Sequence, residues 1–148
     1  MGNVIYTGIF FDFSFIDKGK LTQLGGWDYR AHWCDIFLHH VTLEFRPDPD
    51  SDHLRNVLEH EGEPVDVKIV GVTPKYDTKY GYRNSVAAFK VELGPTLQAL
   101  GIECANKIPH LTVATNGCAP FLANKADYEP FDGPILTGRL GVFRKGDQ

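Results

Sequence analysis

The residues best suited to chemistry in this chain lie in a short phrase that occurs twice. It reads His-Val-Thr-Leu at residues 40–43 and His-Leu-Thr-Val at residues 110–113. Because side chains alternate between the two faces of a strand, each copy would place its histidine and its threonine on one face. Two such pairs across a cleft would surround one phosphate with two imidazoles and two hydroxyls. The pattern therefore predicts acid–base chemistry on a phosphodiester, with four catalytic residues: His40, Thr42, His110 and Thr112.

Both copies have apolar, β-branched surroundings that are typical of strands. Residues 37–45 and 108–115 carry valine, leucine and isoleucine at the alternate positions, which would form the buried face. His39 would then point to the face opposite His40, and we expect no role for it. The competing interpretation is a small interaction domain, in which two half-buried strands carry their polar residues by accident.

A metal site is a further interpretation of the first copy. His39, His40 and Glu44 are residue types that bind metals. Adjacent residues of a strand point to opposite faces, however, and no third ligand follows at a familiar spacing. We therefore expect neither a metal nor another cofactor. His32, His53 and His60 are expected to be surface or helix residues without a role.

A segment at residues 75–83 interleaves tyrosines with basic residues. Aromatic rings stack on nucleobases and basic side chains contact phosphates, so Tyr76, Tyr80 and Arg83 could clamp a substrate. The same segment is equally consistent with a solvated hairpin tip whose tyrosines cover the edge of a sheet.

The elements that must position these residues are mainly strands. Runs rich in β-branched and aromatic residues predict them at residues 4–11, 37–45, 65–72, 84–93, 108–115 and 135–144. Ser51 or Asp52 can cap a helix that ends near Gly62, and a short second helix begins at Pro95 and ends at Gly101. We expect an α+β fold with a mostly antiparallel sheet. The order of strand, motif strand and helix occurs twice, which suggests two lobes related by a rough two-fold axis.

Length and composition limit the possible partners. The 148 residues fit a single domain, residues 1–148. A net charge of −4 argues against broad electrostatic binding of nucleic acid, so RNA would be held locally, at an end. The three cysteines lack metal-type spacing, which favours free thiols in a reducing compartment. With no basic leader and no apolar run of membrane-spanning length, we expect a cytosolic or nuclear protein that does not bind membranes.

The paired His-x-Thr phrases resemble those of the two-histidine (2H) phosphoesterase superfamily. Their flanks are most similar to the cyclic phosphodiesterase domain of tRNA ligases and related RNA-repair enzymes. The similar stretches are Tyr-Thr-Gly-Ile at residues 6–9, the two phrases themselves, and Asn-Gly at residues 116–117. The resemblance implies a bilobal fold with two mostly antiparallel sheets and a central cleft, and it adds Tyr6 and Thr7 as residues that line the cleft.

The resemblance also implies an activity, the metal-independent hydrolysis of 2′,3′-cyclic phosphate ends of RNA or nucleotides. One neutral histidine would take a proton from the attacking water, and the other, protonated, would give one to the departing ribose oxygen. Thr42 and Thr112 would donate hydrogen bonds to the non-bridging oxygens. Two alternatives stay open: a 2′-5′ oligoadenylate phosphodiesterase, which the superfamily also includes, and a non-catalytic domain that binds RNA ends or phosphate.

Overall fold

The computed structural model describes residues 4–24, 35–36, 38–73, 86–115 and 128–145. These residues form eight strands and three helices. In chain order they are β1 (Val4–Phe10), α1 (Phe15–Leu24), β2 (Asp35–Ile36), β3 (His40–Phe45), α2 (Asp52–Glu59), β4 (Pro64–Val72), β5 (Val86–Leu93), α3 (Pro95–Ala99), β6 (His110–Thr115), β7 (Glu129–Pro130) and β8 (Ile135–Arg144). The clamp predicted from Tyr76, Tyr80 and Arg83 lies outside the described residues, as does His32.

The strands form one sheet in the order β2-β6-β3-β1-β8-β4-β5. Since β5 also pairs with β6, the six longer strands close into a barrel, with β2 added to β6 and β7 added to β4. Every pairing between described strands is antiparallel. An α+β fold with a mostly antiparallel sheet is thereby confirmed.

The bilobal arrangement with two separate sheets is not confirmed. The two motif strands, β3 and β6, pair directly through Val41 and Leu111, so the described strands belong to one continuous sheet. The motif residues consequently meet on neighbouring strands of a barrel wall.

The barrel interior is the hydrophobic core, and strand periodicity explains how it is filled. In β4, Val65, Val67 and Ile69 are buried while the residues between them are more exposed. The same alternation buries Val41 and Leu43 in β3. Leu54 and Val57 of α2 and Leu97 of α3 are also buried. One contiguous core therefore holds the strands that carry both motifs.

Two helices follow the sequence predictions. α2 begins after Ser51, whose side-chain oxygen accepts a hydrogen bond from the backbone N–H of Leu54 at 3.2 Å, and Gly62 follows with φ +89°. α3 starts at Pro95, and Gly101 follows it with φ +73°. Both glycines, which follow the helix ends, adopt the left-handed backbone conformation that favours glycine.

The helix α1 was not predicted. The aromatic residues before it suggest a continuing strand. Only Leu21 and Thr22 are buried along the helix, so its sequence has little of the apolar periodicity that predicts a helix. Phe15 and Ile16, at its start, are 82% and 68% exposed. Among the described helices, none has the length and apolar character needed to cross a membrane.

Candidate active site

The pairing of β3 with β6 brings the two phrases together on one face. Val41 and Leu111 are direct partners, and both are fully buried in the barrel interior. Neighbouring residues on a strand point the opposite way, so the histidine and threonine of each phrase lie on the outer face. The four residues predicted as catalytic therefore share one face of the barrel wall.

The antiparallel register also decides which of these residues are neighbours. Counting one residue in either direction from the Val41–Leu111 pair places His40 across from Thr112 and Thr42 across from His110. Each histidine thus lies beside the threonine of the other phrase. A local two-fold axis through the Val41–Leu111 pair relates the two phrases, with the histidines on one diagonal and the threonines on the other.

His40 is packed among aromatic rings from neighbouring strands. Its ring lies 4.6 Å from the Tyr6 ring and 5.9 Å from the Phe10 ring, and the Tyr6 ring in turn stacks on Phe143 at 5.1 Å. The Tyr6 hydroxyl is 3.4 Å from Nδ1 of His40. The structure thus brings Tyr6, a predicted cleft residue, into contact with the first histidine.

Burial in this cluster keeps His40 neutral. Loss of solvation, reinforced by the nearby His39 and His110 imidazoles, lowers the pKa of His40 from 6.5 to about 3. Burial also raises the pKa of Tyr6 to about 12, so its hydroxyl keeps its proton. In the unliganded protein, His40 is an uncharged proton acceptor.

A backbone hydrogen bond fixes which ring nitrogen of His110 carries the hydrogen. His110 is 8% exposed, and its Nδ1–H donates a hydrogen bond to the carbonyl of Ile108 at 2.7 Å. A neutral imidazole that donates from Nδ1 has a bare Nε2, which is then the nitrogen available to a substrate. Burial lowers the pKa of His110, and the Ile108 carbonyl partly opposes that shift by favouring the cation.

The orientation expected for His39 was wrong. The two Nδ1 atoms of His39 and His40 are 2.5 Å apart, and the ring planes differ by only 20°. Leu38, fully buried, has φ +53°, so the chain has no regular strand alternation immediately before β3 begins at His40. A third imidazole therefore joins the site, and the period-two pattern could not have predicted it.

The threonine hydroxyls are available to a ligand. Thr42 and Thr112 are half-buried, and among the described residues neither hydroxyl forms a hydrogen bond with the protein. The backbone carbonyl of Thr42 accepts hydrogen bonds from the Asn106 side chain at 3.1 Å and from the free Cys104 thiol at 3.6 Å. These contacts hold the backbone of the motif strand.

Lys90 is a candidate site residue that sequence reasoning missed. It is the direct partner of His110 across the β5–β6 ladder, and its side chain is exposed on the same face. An ammonium group beside the second histidine would attract a phosphate. The alternation of β5 marks Lys90 as outward-facing, but only the pairing of β5 with β6 places it in the site.

Thr7, predicted to line the cleft, lies elsewhere. It is two residues from the buried Ile9, so strand alternation puts both on the inner face, where Thr7 is fully buried with Oγ1 2.7 Å from Nε2 of His53. Glu44, its strand partner, has Oε2 3.7 Å from the same nitrogen. Thr7, His53 of α2 and Glu44 form a partly buried polar cluster, apart from the four motif residues.

The donors considered for a metal are not gathered in one place. Glu44 belongs to the cluster under α2, whereas His39 and His40 contact each other at the motif face. Within the described parts of the chain, no three histidine, cysteine or carboxylate side chains are grouped so as to hold a metal ion.

No protein-family model matches the sequence, and no curated protein matches it either.

Proposed function

We propose that this protein is a metal-independent phosphodiesterase that hydrolyses 2′,3′-cyclic phosphate ends of RNA or nucleotides, as its resemblance to the 2H phosphoesterases implies. The observation that carries the proposal is the two-fold arrangement of His40, Thr42, His110 and Thr112 on one barrel face. The bilobal relation expected of that superfamily is part of the proposal, and the local two-fold axis between β3 and β6 supports it.

The two histidines have unequal environments, which suggests separate roles. His40 has the pKa that is lowered to about 3 and contacts the His39 imidazole, so it stays neutral and acts as the base toward water. His110 hydrogen-bonds to the Ile108 carbonyl, which stabilises its cation, so it is the acid that protonates the departing ribose oxygen. One proton is taken from water and one is given to the leaving group, so the hydrolysis balances.

Protonation of His110 would accompany substrate binding. All three imidazoles at the face have lowered pKa values, so the empty site is nearly uncharged near neutral pH. A bound phosphodiester brings a negative charge that favours the imidazolium form. Substrate would therefore bind together with a proton, and binding would tighten as the pH falls.

The remaining groups would stabilise the phosphate as charge builds on it. Thr42 and Thr112 each lie across from the histidine of the other phrase, so their hydroxyls would donate to opposite non-bridging oxygens. Lys90 would add a positive charge beside His110. RNA repair in the cytosol or nucleus is the setting that this chemistry would serve.

The test is hydrolysis of the four nucleoside 2′,3′-cyclic monophosphates, and of a short RNA with that end, in the presence of EDTA. We expect turnover with a bell-shaped pH profile. His40→Ala and His110→Ala should each reduce kcat by roughly 10²–10⁴-fold, the usual contribution of a general acid or base. Thr42→Val and Thr112→Val should cause smaller losses.

His60→Ala is the matched control, because His60 pairs with Glu63 at the end of α2 and lies outside the motif face. Wild-type turnover in either motif-histidine variant would contradict the proposal. If none of these compounds is hydrolysed but 2′-5′ oligoadenylates are, the oligoadenylate alternative replaces it. Binding of cyclic phosphates without any turnover would identify the domain as a binding module.

A further inference from the structure

His39 and His40 contact each other through their ring edges. Their Nδ1 atoms are 2.5 Å apart and their ring centroids 4.5 Å apart. The difference, 2.0 Å, is close to the sum of two imidazole ring radii, so the nitrogens lie nearly on the line between the ring centres. With planes only 20° apart, the rings meet edge to edge, as an in-plane N–H···N hydrogen bond requires.

The backbone holds His39 in this position from both sides. The N–H of Leu38 donates to the carbonyl of Thr112 at 2.9 Å, and the carbonyl of His39 accepts from the N–H of Phe11 at 3.0 Å. The buried Leu38 side chain and its left-handed backbone complete the constraint. The contact between the imidazoles therefore follows from how the chain enters β3.

An Nδ1···Nδ1 contact at this distance holds one proton. Two bare nitrogens would repel each other through their lone pairs, and two protonated nitrogens would bring their hydrogens into collision. One ring must donate and the other must accept. The two imidazoles consequently titrate as one unit.

We propose that His39 is a positioning residue that accepts the Nδ1 hydrogen of His40 and so keeps the Nε2 of His40 unprotonated. This inference rests on the proposed function, in which that nitrogen takes a proton from water.

The second motif contains the counterpart of this arrangement. There the Nδ1–H of His110 donates to the carbonyl of Ile108, two residues earlier in the chain. In both phrases an acceptor that precedes the histidine therefore occupies its Nδ1. The acceptors differ in kind, since an imidazole can titrate and a carbonyl cannot.

Nitrogen-15 NMR of the histidine rings in the unliganded full-length chain, at about pH 7, tests the proton placement directly. We expect the hydrogen of His40 on Nδ1 in the wild type. His39→Phe removes the acceptor and should shift that hydrogen toward Nε2, with kcat falling by up to the roughly 10²–10⁴-fold that a base contributes while KM changes little. In His39→Asn the amide oxygen can accept in place of the ring, so the tautomer and most of kcat should be rescued.

A pH titration of His40, followed in the same nitrogen-15 spectra, separates the electrostatic effect of His39 from an effect on folding. His39→Asn removes a neighbouring imidazole that lowers the pKa of His40, so the pKa of His40 should rise. The other titratable groups near the pair are unchanged in this variant: Lys18 of α1, Tyr6 of β1 and His110 of β6. His60→Asn and His60→Phe are matched controls that should leave both readouts unchanged.

A wild-type His40 that carries its hydrogen on Nε2, or one whose tautomer is the same in His39→Phe, would overturn the inference. The proposed function fails in a distinguishable way. A wild-type protein that hydrolyses none of the phosphodiesters, yet whose His40 tautomer still follows His39, would contradict the reaction and support the placement of the proton.

Discussion

At the scale of single residues, the site is a group of imidazoles whose pKa values are lowered mainly by loss of solvation. These imidazoles belong to His39, His40 and His110. Such a site has little positive charge of its own with which to attract an anion. The charge that first draws a phosphate must come from a neighbouring side chain.

Lys90 is the described cation best placed for that task. We expect Lys90→Gln to raise KM for a cyclic nucleotide by about two- to fivefold, the effect of losing one exposed charge contact, with kcat changed less. The difference between variant and wild type should shrink as salt is added, because salt screens the exposed ammonium. Steady-state kinetics at low and high ionic strength measure both effects.

Lys145→Gln is the matched control, since Lys145 is exposed at the end of β8. A Lys90→Gln enzyme with unchanged KM at low salt would remove Lys90 from the site.

At the scale of elements, the position of the motif strands depends on how closely β1 approaches β3. Gly8 is the direct partner of Thr42, and a side chain at this position would have its Cβ 2.7 Å from the carbonyl oxygen of Val41. That oxygen belongs to the backbone of the motif strand and cannot swing away. Glycine is therefore required for β1 to lie against the strand that carries His40.

Gly8→Ala should consequently lower the free energy of unfolding by about 1–3 kcal/mol, the usual cost of forcing atoms into a filled space. Gly19→Ala should do the reverse, because its Cβ would meet nothing within 4 Å and it lies within α1. A gain of about 0.5–1 kcal/mol is typical for such a helix position.

Urea denaturation of both variants and the wild type gives the two values. Equal stability of Gly8→Ala and the wild type would show that β1 and β3 can separate without cost, contrary to the close contact described.

At the scale of the whole molecule, the buried neutral histidines link folding to pH. His40 has a pKa of 6.5 when unfolded and about 3 when folded, so between these values the unfolded chain binds more protons. The free energy of unfolding should therefore decrease as the pH falls from 6.5 toward about 3. The lowered pKa values of His39, His53 and His110 act in the same direction.

Thermal or urea unfolding at a series of pH values measures this dependence. In His40→Asn the side chain does not titrate, so the loss of stability on acidification should be smaller than in the wild type. A wild-type stability that is constant from neutral pH to about pH 4 would contradict the burial of these imidazoles.

The sequence by itself determined the features that depend on near neighbours in the chain. Strand periodicity predicted that His40 shares a face with Thr42, and His110 with Thr112. The Ser51 cap and Pro95 predicted where two helices begin. These features follow from local backbone geometry and from hydrogen bonds within a few residues. They were sufficient to suggest both the fold class and the four motif residues.

Only the tertiary structure decided how these parts combine. The pairing of Val41 with Leu111 joins strands about 70 residues apart, and the contacts that select this register come from buried side chains all around the barrel. The same packing buries Leu38 in a left-handed conformation that turns His39 toward His40. Strand periodicity assumes a regular backbone, so it could not anticipate the left-handed conformation of Leu38 just before β3.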